Sequence, residues 1–188
     1  VFGALVGLLR WLIKQLYKTK RRVVMSKTQE NLQEAFAGES QANRKYLAFA
    51  KQADSEGYPQ VAKLFRAAAE AETVHAHAHL RAMKGIGKTV ENLKGAISGE
   101  TFEFKEMYPG MIETAKEEGE KAADRSFTYA NKVEEVHAGL YQKALDNIDS
   151  AEEVDYYVCP VCGYTCENEP PERCPVCGAL AKAFFKVE

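Results

Sequence analysis

The sequence has no apolar run long enough to cross a bilayer. Val1 to Leu9 are apolar, but Arg10 and Lys14 follow, well short of the roughly 20 residues that a membrane-spanning helix needs. The same segment lacks the basic start and the small-residue cleavage site of a secretory signal. Cysteine is also scarce. Five occur in 188 residues, four of them in two close pairs, which in a reducing cytosol reads as metal ligation rather than a disulfide framework. Nor is there a basic stripe outside the first 24 residues. Those hold six bases and no acid, leaving 19 bases against 27 acids in the remainder, a formal −8. An acidic body of this kind excludes the usual electrostatics of a nucleic-acid binder.

Residues 1–24 are expected to lie upstream of the natural start, Met25. Arg21-Arg22 can be encoded as AGGAGG, a ribosome-binding sequence, with Val23-Val24 as the spacer. The other reading is a surface helix with Phe2, Leu5, Leu9, Leu12, Ile13 and Leu16 on one face. The remaining chain divides into a helical domain, 25–150, and a small metal-stapled domain, 151–188.

What is present is concentrated in a few places. Cys159-Pro-Val-Cys162-Gly163 recurs as Cys174-Pro-Val-Cys177-Gly178. Two such knuckles close one tetrahedral thiolate site that suits Zn(II) or a single iron. Cys166 is left over and reads as a spectator thiol. Upstream, the pattern predicts four helices. The first starts at the capping sequence Ser26-Lys-Thr-Gln29 and runs to about Ser55; the second runs from Pro59 to Gly85. A third follows from about Val90 to Glu118, with Pro109 predicting a kink or break, and after Gly119 a fourth runs to about Ser150.

Each helix carries acid on an apolar stripe, which is costly unless paired or metal-bound. Glu72 and His75 share a face with Phe65, Ala69, Ala76 and His79, and Glu134 and His137 share one with Phe127, Ala130 and Tyr141. Glu39 lies with Leu32, Phe36, Asn43 and Tyr46; Glu100 and Glu103 lie with Leu93, Ile97 and Met107. One Glu from each of two helices and Glu-x-x-His from each of the other two is the ligand pattern of a di-metal carboxylate bundle. Two ferrous ions would offset four of the five negative charges. His77 falls off this face, and His79 reads as core or as a neighbour of the ligands.

The runs Glu39-Ser-Gln-Ala-Asn-Arg-Lys-Tyr46, Ala71-Glu72-Thr-Val-His75, Gly99-Glu100-Thr-Phe-Glu103 with Met107-Tyr108-Pro109, and Glu134-Glu-Val-His137, together with the cysteine module, closely resemble the rubrerythrin family over residues 26–188. The resemblance implies an all-α four-helix ferritin-like bundle followed by a small, irregular/β rubredoxin-like metal-binding domain. It implies two non-haem irons, with Glu72 and Glu134 bridging, Glu39 and His137 completing one, and Glu100 with Glu103 or His75 completing the other. Carboxylate is the family's ligand when oxidised and histidine when reduced. Tyr46 and Tyr108 match tyrosines near that site, and one further iron would sit on Cys159, Cys162, Cys174 and Cys177, zinc being a possible substitute.

The implied activity is cytoplasmic hydrogen peroxide reduction in oxidative stress defence, with electrons from rubredoxin and an NAD(P)H-dependent rubredoxin reductase. A ferroxidase would use the same bundle with O₂, and a structural zinc protein would use only the cysteines. In ferritin-like bundles the second and third helices run the same way. The short Gly85–Thr89 connector spans at most roughly 18 Å, against about 30 Å of required return. The expectation is therefore an up-down-up-down bundle or, preferentially, a homodimer that swaps hairpins.

Overall fold

Residues 26–150 and 152–188 are described by the computed structural model; the expected N-terminal extension lies outside them. They fall into two compact units that part between Ile86 and Gly87.

The first unit is a helical hairpin. Ser26 caps α1 (Lys27–Ser55), its hydroxyl accepting the Gln29 N–H at 3.2 Å, which satisfies one of the free donors of the first turn. The turn closes at Gly57, whose φ of +82° and following Tyr58 N–H to Ala53 carbonyl bond of 2.8 Å form a left-handed helix stop. Proline then opens α2 (Pro59–Ala82). The second helix ends before the expected Gly85, because Lys84 turns to φ +56° and the Gly85 N–H caps the Leu80 carbonyl at 2.9 Å.

The hairpin packs on alanine. Ala62, Ala69 and Ala76 recur every seventh residue of α2 and are buried, as are Ala50 and Ala53 of α1. Side chains this small let the two helices approach closely. Asn43 is the buried polar side chain of this seam. Its amide donates to the Ala69 carbonyl at 2.7 Å and the Thr73 hydroxyl at 2.8 Å, and its oxygen accepts from Arg44 Nε at 2.9 Å.

The second unit begins with α3 (Thr89–Phe102). The kink or break expected at Pro109 takes the form of a wide π turn, Glu103–Met107, before α4 (Tyr108–Glu117). Pro109 has no N–H for the Lys105 carbonyl, and the Tyr108 N–H bonds back to the Glu103 carbonyl, so one extra residue is absorbed where the ring cannot be placed. Such insertions are frequent at functional sites. Gly119, at φ +76°, repeats the stop seen at Gly57, with the Glu120 N–H on the Ala115 carbonyl at 2.8 Å. Helix α5 (Lys121–Asp146) ends four residues before the expected Ser150, where Asn147 turns back on the Lys143 carbonyl through both its backbone N–H at 3.2 Å and its side chain at 2.8 Å.

The C-terminal module is a three-stranded antiparallel sheet in the order β2–β1–β3, from β1 (Tyr156–Val158), β2 (Thr165–Glu167) and β3 (Phe185–Lys186). Tyr157 of β1 stands opposite Cys166 of β2 and Lys186 of β3.

Candidate metal centres

The cysteine knuckles fold identically. The Gly163 N–H bonds the Cys159 carbonyl and the Gly178 N–H bonds the Cys174 carbonyl, each at 2.9 Å, with φ of +85° and +79° that favour glycine. The four sulfurs converge: Cys159 Sγ lies 3.6 Å from that of Cys177 and Cys162 Sγ lies 3.5 Å from that of Cys174. A tetrahedron with 2.3 Å metal–sulfur bonds has edges of about 3.8 Å. The cage therefore has the size of a tetrahedral thiolate site. Burial pushes the Cys162 thiol far up, and burial pushes Cys177 up as well, the expected behaviour of thiols that a cation must deprotonate together. Cys174 moves down because the N–H groups of Cys177 and Val176 outweigh its burial. Cys166 stands outside the cage, its sulfur directed to the Glu169 and Tyr157 carbonyls at 3.6 and 3.9 Å.

Each helical unit carries one Glu-x-x-His pair beside a further glutamate. On the first, Glu39, Glu72 and His75 offer ligand atoms within 4.8 Å of one another. His75 Nδ1 lies 2.9 Å from Glu72 Oε2, with the ring half exposed. On the second, Glu100, Glu134 and His137 converge within the same limit. His137 Nδ1 is 2.9 Å from Glu134 Oε2 and 4.0 Å from Glu100 Oε1. Glu103 sits on the π turn outside that triad, yet burial and then Glu134 push its carboxyl up. His77 and His79 belong to neither group.

The electrostatics of the second group call for a cation. Burial, then Glu134, holds the Glu100 carboxyl up at about 7 from an ordinary 4.5, with His137 opposing. A carboxyl whose proton is held in this way can exchange it for a metal ion, and carboxylate with imidazole is a donor set that suits iron. Tyr108 feels the same field: burial first, then Glu134, Glu103 and Glu100, raise its phenol and keep it protonated. Its ring packs on Phe127 at 6.2 Å, and Tyr46 packs on Phe65 at 6.1 Å. Tyr141, which the sequence places on the apolar face of α5, is raised too, by burial first and then by Glu100 and Glu134, so it faces the same carboxylates.

One functional contact had no sequence signal. His137 Nε2, the ring atom turned away from the glutamates, lies 3.1 Å from Thr165 Oγ of strand β2.

The rubrerythrin family model matches residues 30–145, and the model for the rubredoxin-like domain of rubrerythrin matches residues 157–185. The chain belongs to the rubrerythrin family. It is 37% identical over 174 residues to rubrerythrin-2 of Clostridium acetobutylicum, covering 84% of this chain and 95% of that one. Nigerythrin of Nitratidesulfovibrio vulgaris is 37% identical over 170 residues, covering 83% of this chain and 84% of that one. A solved mixed-valence structure of nigerythrin aligns at 35% identity over 89% of this chain and 90% of the other, with a TM-score of 0.52. The fold class is thus the ferritin-like helical one with a rubredoxin-like domain, and the metal complement is a di-iron site and a four-cysteine iron site. The protein is an iron-dependent oxidoreductase of this family. No helix of the described residues is long and apolar enough to cross a membrane.

Proposed function

We propose that the protein is a cytoplasmic peroxidase that reduces hydrogen peroxide to two waters, consuming two electrons and two protons. The observation that carries this reading is the seating of the four-thiolate module on α5, with Thr165 of β2 against the ring of His137. An iron-storage protein would have no use for a one-electron site attached to a bundle ligand. Glu39, Glu72, His75, Glu100, Glu103, Glu134 and His137 would hold the iron pair, which when bound supplies the two electrons that cleave the O–O bond. The seven residues divide three and four between the two units.

The polypeptide contributes placement and protons. The carboxylates fix the charge of the site, and the protonated phenol of Tyr108 can donate a hydrogen bond, then a proton, to a departing oxygen. Cys159, Cys162, Cys174 and Cys177 would hold the iron that receives single electrons, from rubredoxin and its NAD(P)H-dependent reductase. A homodimer in which the first hairpin of one chain joins the second hairpin of its partner would bring the two ligand groups together. Phe49, Leu64 and Val74, exposed on the first hairpin, supply apolar surface for such an exchange.

Anaerobic turnover of the iron-loaded protein with hydrogen peroxide, compared with O₂, tests the activity. Faster consumption of O₂ than of peroxide would favour a ferroxidase instead.

A further inference from the structure

Strand β2 lies along α5 in register. Gly163, just before the strand, places its Cα hydrogens toward Val133, where an added Cβ would stand 3.7 Å from the Val133 methyl. Thr165 meets His137 at 3.1 Å, and Glu167 pairs with Lys143. The alternation of a strand sends Thr165 and Glu167 to the helix side, while Cys166 between them turns to carbonyls of its own module. Between the two polar contacts, six helical residues from His137 to Lys143 advance about 9 Å and two strand residues from Thr165 to Glu167 advance about 7 Å.

At the centre of this seam the hydrogen bonds have a definite direction. Thr165 Oγ lies 3.1 Å from the Gly163 carbonyl, which can only accept. The hydroxyl proton therefore goes to Gly163, and the oxygen is left to accept from His137 Nε2. The Gly163 N–H in turn holds the Cys159 carbonyl at 2.9 Å. An imidazole that gives its Nδ1 lone pair to a metal carries its one proton on Nε2, the atom the threonine oxygen faces.

We propose that Thr165 is a positioning residue for the bundle metal. Its hydroxyl holds the ring of His137 in the Nε2–H tautomer, with Nδ1 aimed at the carboxylates, and does so only when the cysteine module is seated. The module thus takes part in building the bundle site as well as carrying its own metal. This rests on the reading of His137 as a ligand. Outer hydrogen-bond partners of ligating histidines typically change metal affinity 10- to 100-fold when removed.

The test uses Zn(II) as a diamagnetic probe with the full-length protein. Thr165→Val, which keeps the shape and removes the hydroxyl, is expected to weaken zinc binding at the bundle about tenfold, to leave the cysteine site at wild-type affinity, and to abolish the protected His137 Nε2–H signal in nitrogen-15 NMR spectra. Thr165→Ser should restore both. Wild-type affinity with the Nε2–H signal intact in Thr165→Val overturns the proposal, as does failure of Thr165→Ser to restore the signal. His137→Ala separates this from the underlying ligand assignment: if it leaves bundle affinity unchanged, His137 is no ligand and the proposal falls with that reading. If His137→Ala weakens binding and Thr165→Val does not, the positioning role alone is wrong.

Discussion

Asn43 of α1 donates its side-chain amide to the Ala69 carbonyl of α2 at 2.7 Å, inside the seam flanked by Glu39 and Glu72. Asn43→Ala removes this bond and the one to Thr73 from a buried position, and leaves a small void. The expected cost is about 2 kcal/mol, read as a lower denaturant midpoint of the metal-free protein. A change within about 0.5 kcal/mol, the range of ordinary surface substitutions, would show that the bond is not structural.

Glu134→Ala should lose most of the bundle iron while the ferric-thiolate colour of the cysteine site stays. Iron analysis beside the visible spectrum checks this, and two irons per bundle with full turnover would sink the assignment. His75→Ala is expected to act more mildly. His75 is half exposed, and we propose it as a ligand of the reduced metal alone. Metal content of the oxidised protein should hold while single-turnover reaction of the reduced protein slows.

The pH dependence follows from Glu100. Its carboxyl is held up at about 7, through burial first and Glu134 second. Between pH 4.5 and 7 the folded metal-free chain keeps a proton that the unfolded chain has released, so this contribution favours folding at low pH and is lost as pH rises through 7. The melting temperature of metal-free protein should therefore fall from about pH 5 to about pH 7.5, and Glu100→Gln should flatten that slope. Because metal must displace the same proton, bundle affinity should drop about tenfold per pH unit below 7. A steeper fall in the Gln variant than in the wild type would contradict both.

Cys159→Ser or Cys177→Ala should abolish the red colour and donor-driven turnover. The chemically reduced bundle should still consume one equivalent of peroxide per di-iron site, measured under anaerobic conditions. Complete loss of that reaction in a folded, iron-loaded variant would mean that the cysteine module also shapes the bundle site.

Hairpin exchange is checked by complementation. Glu72→Ala and Glu134→Ala are each expected to be inactive alone, yet joint refolding should recover activity, since exchange places both lesions in one site of a heterodimer and leaves the other intact. An active, iron-loaded monomer at high dilution would exclude the arrangement.

Local chemistry made much of this protein legible in one dimension. The knuckles are legible because four thiolates at that spacing suit one tetrahedral site, and the Glu-x-x-His pairs because three residues along a helix put two side chains on one face. Gly57 and Gly119 announced their turns because few other residues tolerate a positive φ. Pro109 marked a disturbance, but whether it becomes a kink or a π turn depends on where the displaced carbonyls find partners. The alanine seam was hidden, since alanine has high helix propensity on any face and burial alone distinguishes Ala62, Ala69 and Ala76 from their neighbours. Thr165 shows the same limit most plainly. It lies 28 residues from His137, in a strand where any β-branched residue would serve, and only the docking of that strand on α5 brings its hydroxyl against the His137 ring.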